Sequence, residues 1–192
     1  MIINEKGIVH AIKDAYRANG YNVLNMDGQV VVYTEDWYIR CDWKRLPRKA
    51  LATIVEHMGM VPDSTDAVTI RYKEEPQVVM PEIVESDLAG WSEGEATGQA
   101  TMVPIMFQGM QFYQKPGGGQ CYAVDPLGLA IVERGIATFN TAIIVENNRM
   151  SWSHENERVI LSVQHCGEYW PQGWERDVWI ALEGVDLHRK ED

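Results

Sequence analysis

The chain has 192 residues, 45% of them hydrophobic and 23% charged, which supplies apolar material for a buried core and excludes a chain too polar to collapse. Its 28 acidic residues against 17 basic ones leave a formal charge of −11. An excess of that sign opposes contact with a phosphate backbone, so direct nucleic-acid binding is not expected.

No apolar run approaches the roughly 18 residues that a membrane span needs. The opening Met1-Ile2-Ile3-Asn4-Glu5-Lys6 lacks a basic region followed by an apolar one, so no secretory leader is read and a cytoplasmic location is expected. Cys41, Cys121 and Cys166 are odd in number and far apart, neither a disulfide framework nor a clustered zinc pattern. They read as free thiols of a reducing compartment, and no cofactor or metal is expected.

Asn4 can cap a helix whose apolar positions Ile8, Ile12, Ala15 and Tyr16 recur at helical spacing, with Asn19-Gly20 closing it. Strands follow at Tyr21–Asn25 and Gln29–Thr34 around an Asp27-Gly28 turn, a pairing that supplies positive φ. Residues 37–43 alternate Trp37, Ile39, Cys41 and Trp43 with Tyr38, Arg40 and Asp42, a period of two. Pro47 opens a second helix with Leu51, Ile54, Val55 and Met58 on its apolar face and Gly59 at its end. Ala67–Tyr72 reads as a fourth strand.

The next 41 residues, 74–114, contain no Lys, Arg or His and carry seven carboxylates: Glu74, Glu75, Glu82, Glu85, Asp87, Glu93 and Glu95. Pro and Gly punctuate the front of this stretch, with a short helix at 82–90. A hairpin over 101–114 bends at Gln108-Gly109. Lys115–Gly119 is a glycine loop, and a helix runs from Asp125-Pro126 to Gly135. Strands are then read at Ala137–Val145, Met150–His154, Arg158–Gln164 and Val178–Leu182, the first two joined at Asn147-Asn148. The fold class is α+β: an N-terminal helix, antiparallel strands and a second helix, then a β-rich C-terminal half of antiparallel hairpins. The segments are an α+β unit at 1–73, an acidic Pro/Gly-containing connector at 74–100 and a β-rich unit at 101–192, as subdomains or one domain overall.

Phosphate-binding signatures are missing, since the glycines at 117–119 lead into Gln120-Cys121 rather than Lys-Ser or Lys-Thr. Three functional readings remain. The first is a non-enzymatic module that binds a protein with a basic surface through Glu82, Glu85, Asp87, Glu93 and Glu95, with Met106 and Met110 as adaptable apolar contacts. The natural basic surfaces of a cytosol are the channels of nucleic-acid-processing enzymes, so such a module has the character of an inhibitor of the kind that phages and mobile elements direct against nucleases. The second is a hydrolase with Cys121 as nucleophile, His154 or His165 as base, and Asp125 or Glu155 as orienting group. The third is a ligand-binding β module that stacks on Trp170 and Trp174. Arg40, Lys44, Arg45, Arg48 and Lys49 against Asp42 form a local island of +4, available to the acidic stretch or to a phosphate.

Overall fold

The computed structural model describes residues 1–26, 28–60, 67–91, 96–145, 148–166 and 173–188. In chain order the elements are α1 (Glu5–Arg17), β1 (Tyr21–Met26), β2 (Gln29–Tyr33), β3 (Trp37–Asp42), α2 (Arg48–Met58), β4 (Val68–Ile70), β5 (Gln77–Val78) and α3 (Pro81–Trp91). They continue as β6 (Ala96–Phe107), β7 (Met110–Gln114), β8 (Cys121–Val124), α4 (Pro126–Leu129), α5 (Arg134–Phe139) and β9 (Ala142–Val145). The chain closes with β10 (Arg149–His154), β11 (Glu157–Ser162), β12 (Gln164–His165) and α6 (Trp174–Glu183). The architecture is α+β, as the periodicities predict. The strands form one antiparallel sheet in the order β12-β8-β7-β6-β9-β10-β11-β3-β2-β1-β4-β5. The segment boundaries read at 73 and 100 fall between β4 and β5 and inside β6, and β3 pairs with β11.

Local chemistry explains the first elements. The Asn4 side chain accepts from the Gly7 amide at 2.9 Å and caps α1, whose Ile8, Ala11 and Ile12 are buried. Pro47 stands at the N-cap of α2, one position earlier than a first-turn proline, and Gly59 ends that helix with φ 78°. Gln108 at φ 49° and Gly109 at φ 80° make the tight turn between β6 and β7. Asp27 of the first hairpin and Asn147 of the later one lie outside the described residues. β6 carries Pro104, and its pairing with β7 slips between Met102 and Met106; the Gln111 amide fills the gap, donating to Val103 O at 2.8 Å and Ile105 O at 3.1 Å.

The sheet is covered on both faces, which is why β2 reads as a continuous apolar run rather than an alternation. Val30 and Val32 join the cluster under α1 and α2, whereas Val31 and Tyr33 join the one beneath α3 with Tyr38, Trp91 and Ile160. A third cluster holds Phe112, Cys121 and Cys166 against Trp179 of α6.

Four readings are corrected. Val178–Leu182 is part of α6 rather than a strand: Trp179 is buried and Leu182 packs beside it, a three-residue spacing that a strand cannot present to one surface. The helix expected from Asp125 to Gly135 is two short helices, and Gly135 lies in the first turn of the second. The break comes from tertiary pairing, since Asn4 N donates to Ile131 O and Glu133 N to Ile2 O, each at 2.7 Å. The strand expected at Ala137–Val145 begins only at Ala142, after α5. Arg158–Gln164 is interrupted at Val163, whose amide bonds Asn148 O, and Gln164–His165 turns away to pair with β8. The strands β5 and β8 have no counterpart in the sequence reading.

Candidate functional site

A groove of about 1000 Å³ opens where one end of α1, the β2–β3 turn, α3 and the ends of β10 and β11 meet. Carboxylates outnumber cations among its charged lining residues: Asp14, Glu35, Asp36, Asp87 and Asp125 border it, against Arg71 and Arg149. Asp87 projects from α3 toward Tyr33, whose hydroxyl donates to Asp87 Oδ2 at 3.2 Å. Burial, reinforced by that carboxylate, pushes the Tyr33 hydroxyl well above the ordinary tyrosine range, so Tyr33 remains a donor at any physiological pH.

Arg149 is held differently. Its guanidinium lies 4.2 Å over the ring of Trp91, the last residue of α3, and burial lowers its pKa from the ordinary value. Trp91 in turn stacks on Tyr38 at 6.0 Å between centroids. The guanidinium forms no ion pair with any carboxylate among the described residues.

Asp87 and Met110 both line the groove, so two residues proposed for a partner surface border the same cleft. Glu82 and Glu85 stand exposed on α3 outside the groove lining, interleaved in sequence with the exposed Met80 and with Ile83, which borders the groove. Met106 is exposed beside the β6–β7 turn, and Glu93 and Glu95 lie outside the described residues. The basic island does not reach the acidic stretch among the described residues. Arg45 pairs with Glu155 and lies 3.6 Å from Glu157, and Lys49 lies 3.3 Å from Glu5.

Of the two imidazole candidates, one lies beside the thiol and the other does not. Cys121 is fully buried, its Sγ lies 3.8 Å from Gly119 O, and burial beside the Glu183 carboxylate pushes the thiol up to about 12. His165 sits on the adjacent strand with Nε2 3.2 Å from Glu183 Oε1, so Cys121, His165 and Glu183 are neighbours. His154 is exposed at the end of β10, separated from β8 by β7, β6 and β9. Asp125 caps α4, its carboxylate accepting from Leu127 N at 3.1 Å, and Glu155 is engaged by Arg45. No group of three metal-ligating side chains comes together among the described residues.

Trp170 lies outside the described residues. Trp174 begins α6, largely exposed, with its ring edge-on to Phe107 at 6.1 Å. Arg149, Trp91, Tyr33 and Glu183 carry the geometry yet were not singled out from sequence. Their proximity depends on strand register, and the local hint is an Arg directly after the Asn147-Asn148 pair that the sequence reads as a turn.

These features define an α+β protein with both sheet faces covered and an acidic groove at one end of its strands. None of the described helices is long and apolar enough to cross a membrane. Comparison with protein-family models, with curated proteins and with solved structures gives no match.

Proposed function

We propose that the protein is a non-enzymatic binding module whose acidic groove receives a basic surface of a protein partner. The observation that carries this reading is the groove lining, five carboxylates against two guanidiniums in a cleft large enough to take several side chains. Carboxylates around a concave surface focus a negative field, which speeds encounter with a cationic partner and repels phosphate. The exposed Glu82 and Glu85, with the exposed Met80 and Ile83 beside them in sequence, extend the same mixture of charge and apolar contact along α3. The partner class that this field fits is an enzyme with a basic nucleic-acid channel, and occupation of that channel makes the module an inhibitor, as phage and mobile-element anti-defence proteins are. The thiol-hydrolase reading is weaker on physical grounds, because a thiol held up near 12 supplies almost no thiolate at neutral pH.

The test is DNA or RNA cleavage by a panel of purified nucleases, measured against the wild type and a variant carrying Asp36→Lys and Asp87→Lys. The expected result is inhibition that competes with substrate, weakens with salt and is lost in the variant. Equal behaviour of the two proteins, or absence of any charge-dependent association across the panel, overturns the proposal.

A further inference from the structure

Arg149 poses a question that an acidic receptor does not answer: why a guanidinium stands in a groove of carboxylates without pairing with any of them. Its position is defined on three sides. Trp91 supports one face at 4.2 Å. Gly90 lies alongside, placed so that a Cβ there would come into ordinary contact with Nη2 at 3.5 Å, and its missing side chain leaves that space open. On the sheet, Arg149 is registered against Ser162, whose amide donates to Asp36 O at 2.8 Å and whose hydroxyl lies 3.2 Å from Glu35 O. The β2–β3 turn bearing Glu35 and Asp36 is thereby anchored one strand away. Asp87 lies one helical turn before Gly90 and Trp91 on α3.

We infer that the groove is a two-signed receptor: Arg149 takes a carboxylate of the partner segment, while Asp36 and Asp87 take basic side chains flanking it. This inference rests on the acidic-groove reading and specifies its ligand as a peptide in which Asp or Glu stands between Lys or Arg residues. A planar guanidinium fixed on an aromatic face offers paired N–H donors that match a carboxylate in a bidentate fork, and ordering it in advance lowers the entropy lost on binding. The surrounding negative charges favour a monoanion over a dianion at this position, which selects carboxylate over phosphate. Without an ion pair among the described residues, Arg149 is also a penalty on any wholly basic ligand, so the residue supplies selectivity as well as contact.

The test uses fluorescein-labelled, amide-capped peptides of sequence RKEKR, RKQKR and RK(phosphoserine)KR, with binding read by anisotropy at low and moderate salt. Wild type is expected to bind RKEKR about tenfold more tightly than RKQKR, and more tightly than the phosphopeptide. Arg149→Gln should erase the preference while leaving salt-dependent binding to both peptides. Arg149→Lys, which keeps the charge but not the fork, should retain only part of it. Asp36→Asn with Asp87→Asn should weaken all three peptides together. Equal affinity of wild type for the Glu and Gln peptides overturns the role of Arg149 and leaves the acidic groove standing. Tighter binding of the phosphopeptide overturns the carboxylate assignment. Binding of none of them, at either salt, overturns both the inference and the groove reading beneath it.

Discussion

The Glu183 carboxylate lies 3.2 Å from Nε2 of His165 and accepts a 3.0 Å hydrogen bond from the Cys121 amide, so one side chain at the end of α6 ties together both strands of the β8–β12 pair. Gln114 completes the clamp from β7. Its amide donates to Val185 O and its carbonyl accepts from Leu187 N, each at 2.9 Å, although the residue is fully buried. Glu183→Ala leaves the Cys121 N–H without its acceptor and should cost about 1–3 kcal/mol. Glu183→Gln keeps an acceptor there and should cost less. Hydrogen exchange at the Cys121 amide discriminates: fast exchange in Ala and protection in Gln is the expected pattern.

Two helical glycines should respond to alanine with opposite signs. On propensity alone each change stabilises by up to about 1 kcal/mol. A Cβ at Gly7 would sit 1.7 Å from Ala130 O, so Gly7→Ala must push α1 off the turn that follows α4 and destabilise the fold. Gly135 in α5 has open space around it, and Gly135→Ala should stabilise. Urea midpoints of the two variants measure this directly; a stabilised Gly7→Ala protein would refute the packing of α1 against that turn.

The buried thiols predict alkaline destabilisation. Burial holds Cys41 and Cys121 at about 12 against an ordinary value of 9.0, and it raises Cys166 as well. The folded state therefore keeps protons that the unfolded chain releases. The corresponding stability is fully present below pH 9 and is lost as pH climbs toward 12, by about 1.4 kcal/mol per pH unit for each thiol. Denaturant titrations at pH 7.5, 9 and 10.5 should show the decline, and Cys121→Ser should make it shallower. In the native protein at pH 8, a thiol reagent should label these cysteines only on the timescale of unfolding. Prompt labelling of Cys121 would restore the nucleophile reading.

Trp179 should be the anchor of α6. Its ring stacks on Phe112 with centroids 4.1 Å apart and it is almost wholly buried. Trp179→Ala should cost about 3–5 kcal/mol, the range for emptying a large aromatic site. Trp174→Ala, at a largely exposed position, should leave the melting temperature nearly unchanged.

Much of the N-terminal half was legible because its signals are local. Asn4 as a cap, Gly59 as a stop and the alternation around Ile39 depend on residues within a few positions of one another, and the structure repeats them. The reading of Val178–Leu182 as a strand failed because Val178, Ile180 and Leu182 alternate while the buried contact is made by Trp179, and only the surface beneath α6 distinguishes the two periods. The break between α4 and α5 was equally invisible. It is imposed by Ile2 and Asn4, more than a hundred residues away, whose backbones claim Glu133 and Ile131.

The site divides in the same way. Composition located the acid-rich, cation-free stretch, and with it Asp87 and Met110, because charge is a property of residue identity. The other groove carboxylates, Asp14, Glu35, Asp36 and Asp125, are scattered along the chain and met only when strand order was fixed. The same holds for Arg149 and Trp91, brought to 4.2 Å by the packing of α3 on the sheet. The amino-acid sequence by itself determined the fold class, the sign of the electrostatic field and the burial tendency of the cysteines, since these follow from local spacing and side-chain chemistry. Only the tertiary structure decided which charges share a groove and which thiol, imidazole and carboxylate are neighbours. Antiparallel register sets those distances, and a register is a relation between strands that neither strand contains alone.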